Sequence, residues 1–260
     1  MAGGITNKGN ESAQRSNFPA GSHWAQFAIV IGVVSFLALA TVVYLDSRPY
    51  FLWDLAVTRQ LQAASWPGVE ILMRGISITG DSVLISGFLL GAAFLALFAW
   101  RARREAAVLV LAVAMGEILK IPLKHIVGRP RPSPDLVNVL INVKEIQSFP
   151  SGHTVHYVVF FGFLAFLAWT LLPADGLRRA SFGILVGMIL LVGPSRIYLG
   201  AHWASDVVGG YLLGGVLLLG NILLYRRWSN VGSSPLRTRR ASDCGRRYHD
   251  PNLLIGRDER

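Results

Sequence analysis

Residues 182–225 read FGILVGMILLVGPSRIYLGAHWASDVVGGYLLGGVLLLGNILLY. Two apolar runs flank a short patch, SRIYLGAHWASD at 195–206, which holds an arginine, a histidine and an aspartate. About 20 helical residues cross a hydrocarbon layer ~30 Å thick, so apolar runs of this length read as membrane spans. An ionisable side chain at a bilayer centre costs about 2.5–3.5 kcal/mol on insertion scales. The patch therefore belongs at a membrane surface, between a span at 182–197 and another at 207–225, and its charges need a function.

Working outward, the same criterion finds spans at 24–44, 82–100, 106–123 and 154–172. The chain of 260 residues is 52% hydrophobic and 15% charged, with mean hydropathy +0.46, which excludes a soluble enzyme. Its single cysteine, Cys244, excludes an intramolecular disulfide and a cysteine-based metal site. An A-x-A pattern at Ala38–Ala40 fits signal-peptide cleavage, but the apolar run around it is longer than an h-region, so the first span is expected to be retained. Residues 47–80 show helical periodicity broken at Pro67 and read as amphipathic helices along the membrane surface that cap the site or guide a substrate's tail. The expected fold is all-α, a bundle of six transmembrane helices. A disordered cytoplasmic segment is expected at 1–23, the membrane domain at 24–228 and a basic cytoplasmic tail at 229–260.

Orientation follows from the arginines, which accumulate in cytoplasmic loops. Arg101, Arg103 and Arg104, then Arg178 and Arg179, then Arg226 and Arg227 all fall on one side of a six-span layout, together with both termini. Trp24, Trp100, Trp169 and Trp228 read as interfacial at that inner side, and Trp203 at the outer. Net charge is +10, and residues 226–260 supply half of it, with nine arginines against four acids. Beside a membrane span, such a tail is expected to touch anionic inner-leaflet lipid rather than nucleic acid.

The outward segments gather Lys124, Arg129, Arg131, His153, Arg196, His202 and Asp206 from three separate pieces of chain. Nearly all are cations or potential cations, so the ligand is an anion with several oxygens, which suits arginine's planar fork and lysine's point charge. His202 and Asp206 are four apart, which on a helix stacks them on one face. Asp206 would then accept from one ring nitrogen and leave the other free as nucleophile or base. His153 is available as a general acid, which completes a set for phosphoryl transfer. Duller roles fit the neighbours: Glu117 and Lys120 as a structural ion pair, His156 as structural, Arg129 as a loop or headgroup contact. In span six, Gly209, Gly210, Gly214, Gly215 and Gly220 read as packing positions, and Asn221 as a bond to a neighbouring helix.

These residues resemble the type 2 phosphatidic acid phosphatase (PAP2) superfamily of integral membrane lipid phosphatases. K-x6-R-P is matched by Lys124 and Arg131-Pro132, P-S-G-H by Pro150-Ser151-Gly152-His153, and S-R-x5-H-x3-D by Ser195-Arg196, His202 and Asp206. All three motifs lie in order within 124–206 without a substitution, and Lys124 with Arg131 is the pairing that fits the first. The resemblance implies a PAP2/haloperoxidase-like helical bundle. It implies that His202 attacks phosphorus to form a phosphohistidine, that Asp206 orients it and that His153 protonates the leaving oxygen. Lys124, Arg131 and Arg196 would hold the phosphoryl oxygens, helped by Ser151 and the amide of Gly152, with no metal and no cofactor. The substrate is expected to be an amphiphilic lipid phosphate or diphosphate of the phosphatidic acid, phosphatidylglycerol phosphate or undecaprenyl diphosphate class. The chain is then a multi-pass protein of a bacterial plasma membrane with its site facing outward. A lipid phosphotransferase using the same intermediate, and a non-catalytic lipid-binding or transport protein, are the alternatives. No residue pattern assigns an oligomeric state.

Overall fold

A computed structural model describes residues 22–46, 48–64, 66–143, 145–173 and 176–231. They form eight helices: α1 Ser22–Leu45, α2 Leu52–Gln62, α3 Val69–Asp81, α4 Val83–Ala99, α5 Arg103–Val127, α6 Gly152–Leu171, α7 Gly176–Tyr198 and α8 Ala204–Val231. Among the described residues there is no strand, only an isolated bridge between Pro130 and Gln147. Helices α1, α5, α6, α7 and α8 are long and apolar enough to cross a membrane. Helices α3 and α4 meet at a 73° bend and make a sixth span if counted together. This is the all-α six-span bundle expected, although α1 already begins at Ser22, inside the segment read as disordered. The rest of that segment and the tail from 232 lie outside the described residues.

Helix α6, apolar nearly all round, takes the central position. Its Val155, Tyr157, Val159, Phe160 and Phe163 are buried against Leu109 and Ala112 of α5 and Leu213 and Leu217 of α8. Helix α1 is equally apolar but leaves most of its surface exposed, as a lipid-facing helix does; Phe36 anchors it, stacked 5.9 Å from Phe149. Helices α6 and α8 touch backbone to backbone. A Cβ on Gly210 would lie 2.8 Å from the Ser151 carbonyl oxygen, and one on Gly214 would lie 2.8 Å from Cβ of Val158. Gly209 is pressed in the same way against Phe149, but Gly215 and Gly220 face no atom within 4 Å, so the packing role is confined to the first three. Pro194 inside α7 cannot donate to the Leu190 carbonyl. Tyr211 of α8 mends the ladder: its hydroxyl donates to the Ile189 carbonyl at 2.7 Å, approaches that of Leu190 at 3.4 Å, and accepts from the Gly193 amide at 3.2 Å.

Helix α3 is amphipathic as expected: Val69, Ile76 and Ser77 are buried, with α6 and α7 as neighbours, while Ile71, Leu72 and Ile78 stay exposed. Two expectations are corrected. Trp203 is fully buried instead of interfacial, tilted 5.0 Å from the Tyr50 ring, with its indole N–H donated to the Pro130 carbonyl. Asn221 donates to the Leu217 carbonyl of its own helix at 2.7 Å, not to a neighbour.

Candidate active site

Each motif sits where a helix starts or stops. Lys124 is in the last turn of α5, which ends because Gly128 takes a left-handed conformation (φ 62°) and donates its amide to the Lys124 carbonyl. Arg129 and Arg131 follow, each flanked by proline and unable to continue the helix. Ser151 caps α6: its hydroxyl accepts from the Thr154 hydroxyl at 3.0 Å and, more distantly, from the Thr154 amide at 3.5 Å. The amides of Gly152 and His153 then fall in the first turn, where N–H groups lack helical partners and suit an anion. Arg196 is in the last turn of α7, and Gly200 (φ 68°) turns the chain toward α8. That turn is sealed by Leu140 donating to Leu199 at 3.0 Å, and motif two is pinned to motif three by Ser151 donating to the Asp206 carbonyl at 3.0 Å.

These ends converge on a cavity of about 810 Å³ at one end of the bundle. Of the residues expected to form the site, Lys124, Arg131, Gly152, His153, Arg196 and His202 line it. Ser151 and Asp206 are buried just behind the wall, and Ser195 turns away to donate to the Val192 carbonyl. His202 is 1% exposed. Its Nε2 is 3.1 Å from Nη1 of Arg131. A guanidinium only donates, so Nε2 carries the lone pair and Nδ1 the proton. Burial, then the charges of Arg131, Arg196 and Lys124, push the imidazole well below its usual 6.5. It is a neutral base aimed into a basic cavity.

Asp206 is not on a shared helical face with His202, because the histidine precedes α8 in the turn set by Gly200. The carboxylate stands 3.6 Å from Nδ1, too long for a hydrogen bond. Its oxygens are spoken for: Oδ2 accepts from the Trp203 amide at 2.8 Å, which caps α8, and Oδ1 accepts from Arg129 at 2.6 Å. Asp206 thus stands behind His202 without bonding to it. Arg129 is no headgroup contact. It is buried between Asp206 and Asp54, 2.8 Å from the latter, and lies over the Phe51 ring at 5.1 Å. Asp54, fully buried on α2, also accepts from the amide and hydroxyl of Ser205, both at 2.8 Å.

The motifs offer one carboxylate, but the cavity holds three more. Glu145 accepts from Lys124 and, at 3.2 Å, from Arg131. Burial alone would raise its carboxyl, but the hydrogen bond from Lys124 and the charges of Lys124 and Arg131 outweigh that and lower it. Glu117 pairs with Lys120 at 2.5 Å, as expected, and stands 3.7 Å from His156, which stacks on Phe160 and also lines the cavity. Asp81, at the end of α3, lies 2.9 Å from His153 and 2.7 Å from Arg196. No local spacing marks Asp54, Asp81 or Glu145, because the cations they pair with lie 14 to 115 residues away.

The cavity and its cations suit a phosphoric ester, and comparisons with known proteins identify a membrane phosphatase, a phosphoric ester hydrolase. The sequence profile of the PAP2 superfamily matches residues 105–230, the segment that holds all three motifs. It is 28% identical to phosphatidylglycerophosphatase B of Bacillus subtilis (strain 168), over 69% of this chain and 85% of that protein. It is 27% identical to lipid phosphate phosphatase delta of Arabidopsis thaliana over 77% of its own length, but spans only 51% of that relative. Among solved structures, the transmembrane PAP2-type phosphatidylglycerolphosphate phosphatase from Bacillus subtilis superposes with a TM-score of 0.64 at 25% identity, covering 78% of this chain and 96% of that one.

Proposed function

We propose that the chain hydrolyses a lipid phosphate or diphosphate ester through a phosphohistidine on His202, at the outer face of a bacterial plasma membrane. The observation that supports this most is the position of His202 Nε2, 3.1 Å from Arg131 in a cavity that also receives Lys124, Arg196 and His153. Nε2 attacks phosphorus while the ester P–O bond breaks, and His153 gives its proton to the departing oxygen. Lys124, Arg131 and Arg196 hold the phosphoryl oxygens, with the first-turn amides of α6, and Asp206 balances the charge that forms on His202. Water, losing its proton to His153, then attacks phosphorus and releases Nε2 and inorganic phosphate. The cavity wall favours an amphiphile: Val83 and Leu90 of α4 and Val113 of α5 line it beside the cations, so a tail can remain in lipid while its phosphate enters. The basic tail then lies on the cytoplasmic side, against anionic lipid.

The test is phosphate release by the detergent-purified chain in the presence of EDTA, from phosphatidic acid, phosphatidylglycerol phosphate and undecaprenyl diphosphate. EDTA-resistant release is expected, and His202→Ala should lower it by at least about 1,000-fold, as losing a nucleophile does. Release unchanged in His202→Ala would sink the phosphohistidine. Transfer of phosphate to a second lipid without release would make the chain a phosphotransferase.

A further inference from the structure

The general acid, His153, has no partner within the three motifs. Its partner stands on α3. Asp81, at the bend into α4, places Oδ1 2.9 Å from Nε2 of His153 and 2.7 Å from Nη1 of Arg196. Its Oδ2 accepts from the Ser77 hydroxyl at 2.8 Å, one turn earlier on the same helix, and Ser77 in turn accepts from Arg196. Gly80 lets the bend press onto the imidazole, because a Cβ there would lie 2.3 Å from Cδ2 and 2.9 Å from Nε2 of His153. The carboxylate stands beside Nε2 without closing a hydrogen bond to it, and Nε2 has no other partner among the described residues. That nitrogen remains open to a leaving oxygen while an anion stays within ion-pair reach.

An anion in a phosphate site opposes substrate binding, so its presence needs a compensating role. The charged groups beside His153 are Asp81 from α3, Arg196 from α7, which shares that carboxylate, and Lys120 from α5, which lies against Gly152. The two cations oppose the imidazolium that a proton donor has to be, and Asp81 favours it. We infer that Asp81 is the positioning residue of the general acid: it keeps the imidazole of His153 facing the leaving oxygen and favours its protonated form during proton transfer, and it restrains Arg196 from binding phosphate too tightly. Asp81 stays ionised throughout, and the proton passes from Nε2 to the leaving oxygen as the P–O bond breaks. The inference rests on the reading of His153 as the acid.

A leaving-group comparison tests it on the full chain in detergent. The alkoxide of phosphatidic acid needs a proton to depart, whereas the nitrophenolate of para-nitrophenyl phosphate does not. Asp81→Asn should lower kcat/KM on phosphatidic acid about 100-fold, the scale of general acid catalysis, without raising KM, and should leave the aryl ester nearly unaffected. Inorganic phosphate should inhibit this variant more strongly, and Asp81→Glu should recover part of the loss. Ser77→Ala, which loosens the carboxylate but keeps its charge, should show the same bias more weakly, and serves if Asp81→Asn does not fold. Equal losses on both substrates in Asp81→Asn, with the bias kept in His153→Ala, would overturn the role of Asp81 alone. No bias in His153→Ala either would overturn the reading of His153, and the inference with it.

Discussion

His202 is buried, neutral and surrounded by cations, so its protonation costs folding free energy. The sign follows from linkage. The folded-state pKa is depressed below 6.5, so between that value and 6.5 the unfolded chain binds the extra proton. The stability this group contributes is whole above 6.5 and is lost as pH falls, by up to about 1.4 kcal/mol per pH unit. His202→Asn removes the titrating ring, so its apparent Tm should fall less than that of the parent chain between pH 7 and pH 5, and the two slopes should match above pH 7. Parallel slopes throughout would mean that the histidine is not held neutral. At this scale the sequence revealed the motif residues but not the carboxylates that pair with their cations. Lys124, Arg131, His153, Arg196 and His202 stand in short motifs with fixed spacing and reach one cavity. Asp54 and Arg129 were illegible because a buried ion pair is recognised by what surrounds it, and α2 meets Arg129 across 75 residues of chain.

At the scale of the helices, periodicity and apolar length located the five long spans and the α4 half of the bent sixth, since both are local properties of the chain. What they could not show was which face of α3 meets protein. An amphipathic stripe packs on lipid headgroups or on neighbouring helices, and only the partners distinguish the two. The glycines of α8 make a sharper case, because spacing alone treats them alike and packing does not. Gly210 holds α8 against the first turn of α6, the turn that presents Gly152 and His153 to the cavity. A methyl group there meets backbone that cannot swing aside, and overpacking of this kind costs about 1–3 kcal/mol. Gly210→Ala should therefore lower the apparent Tm and reduce phosphate release at least about tenfold, since it displaces His153 from His202. Gly215→Ala, in the same helix but with no atom in range, should leave both unchanged. Equal effects at the two positions would show that helix propensity, not the α6–α8 contact, governs this interface.

The whole molecule has two unlike ends, and their charges carry different meanings. At the site end, Lys124, Arg129, Arg131 and Arg196 are held in ion pairs with Glu145, Asp54, Asp206 and Asp81. At the other end the arginines lie in short turns and at helix termini beside aromatic rings: Arg103 lies 5.0 Å over Phe98, Arg178 4.7 Å over Trp169 and Arg226 5.6 Å over Phe166. Arginines near span ends set orientation, and on that ground we propose that this second end belongs in the cytoplasm. The chain supplies its own reporter, because its one cysteine, Cys244, follows α8 at that end, outside the described residues. In intact cells a membrane-impermeant maleimide should fail to label Cys244 until the membrane is permeabilised. Asp135, exposed in the connection between α5 and α6, lies at the site end. Asp135→Cys in a Cys244→Ser background should therefore label without permeabilisation. The reverse pattern would turn the molecule over and place its substrate in the inner leaflet. The chemistry of the site would stand in either case, because the cavity and its ion pairs are internal to the bundle, whereas orientation depends on the arginines that never touch it.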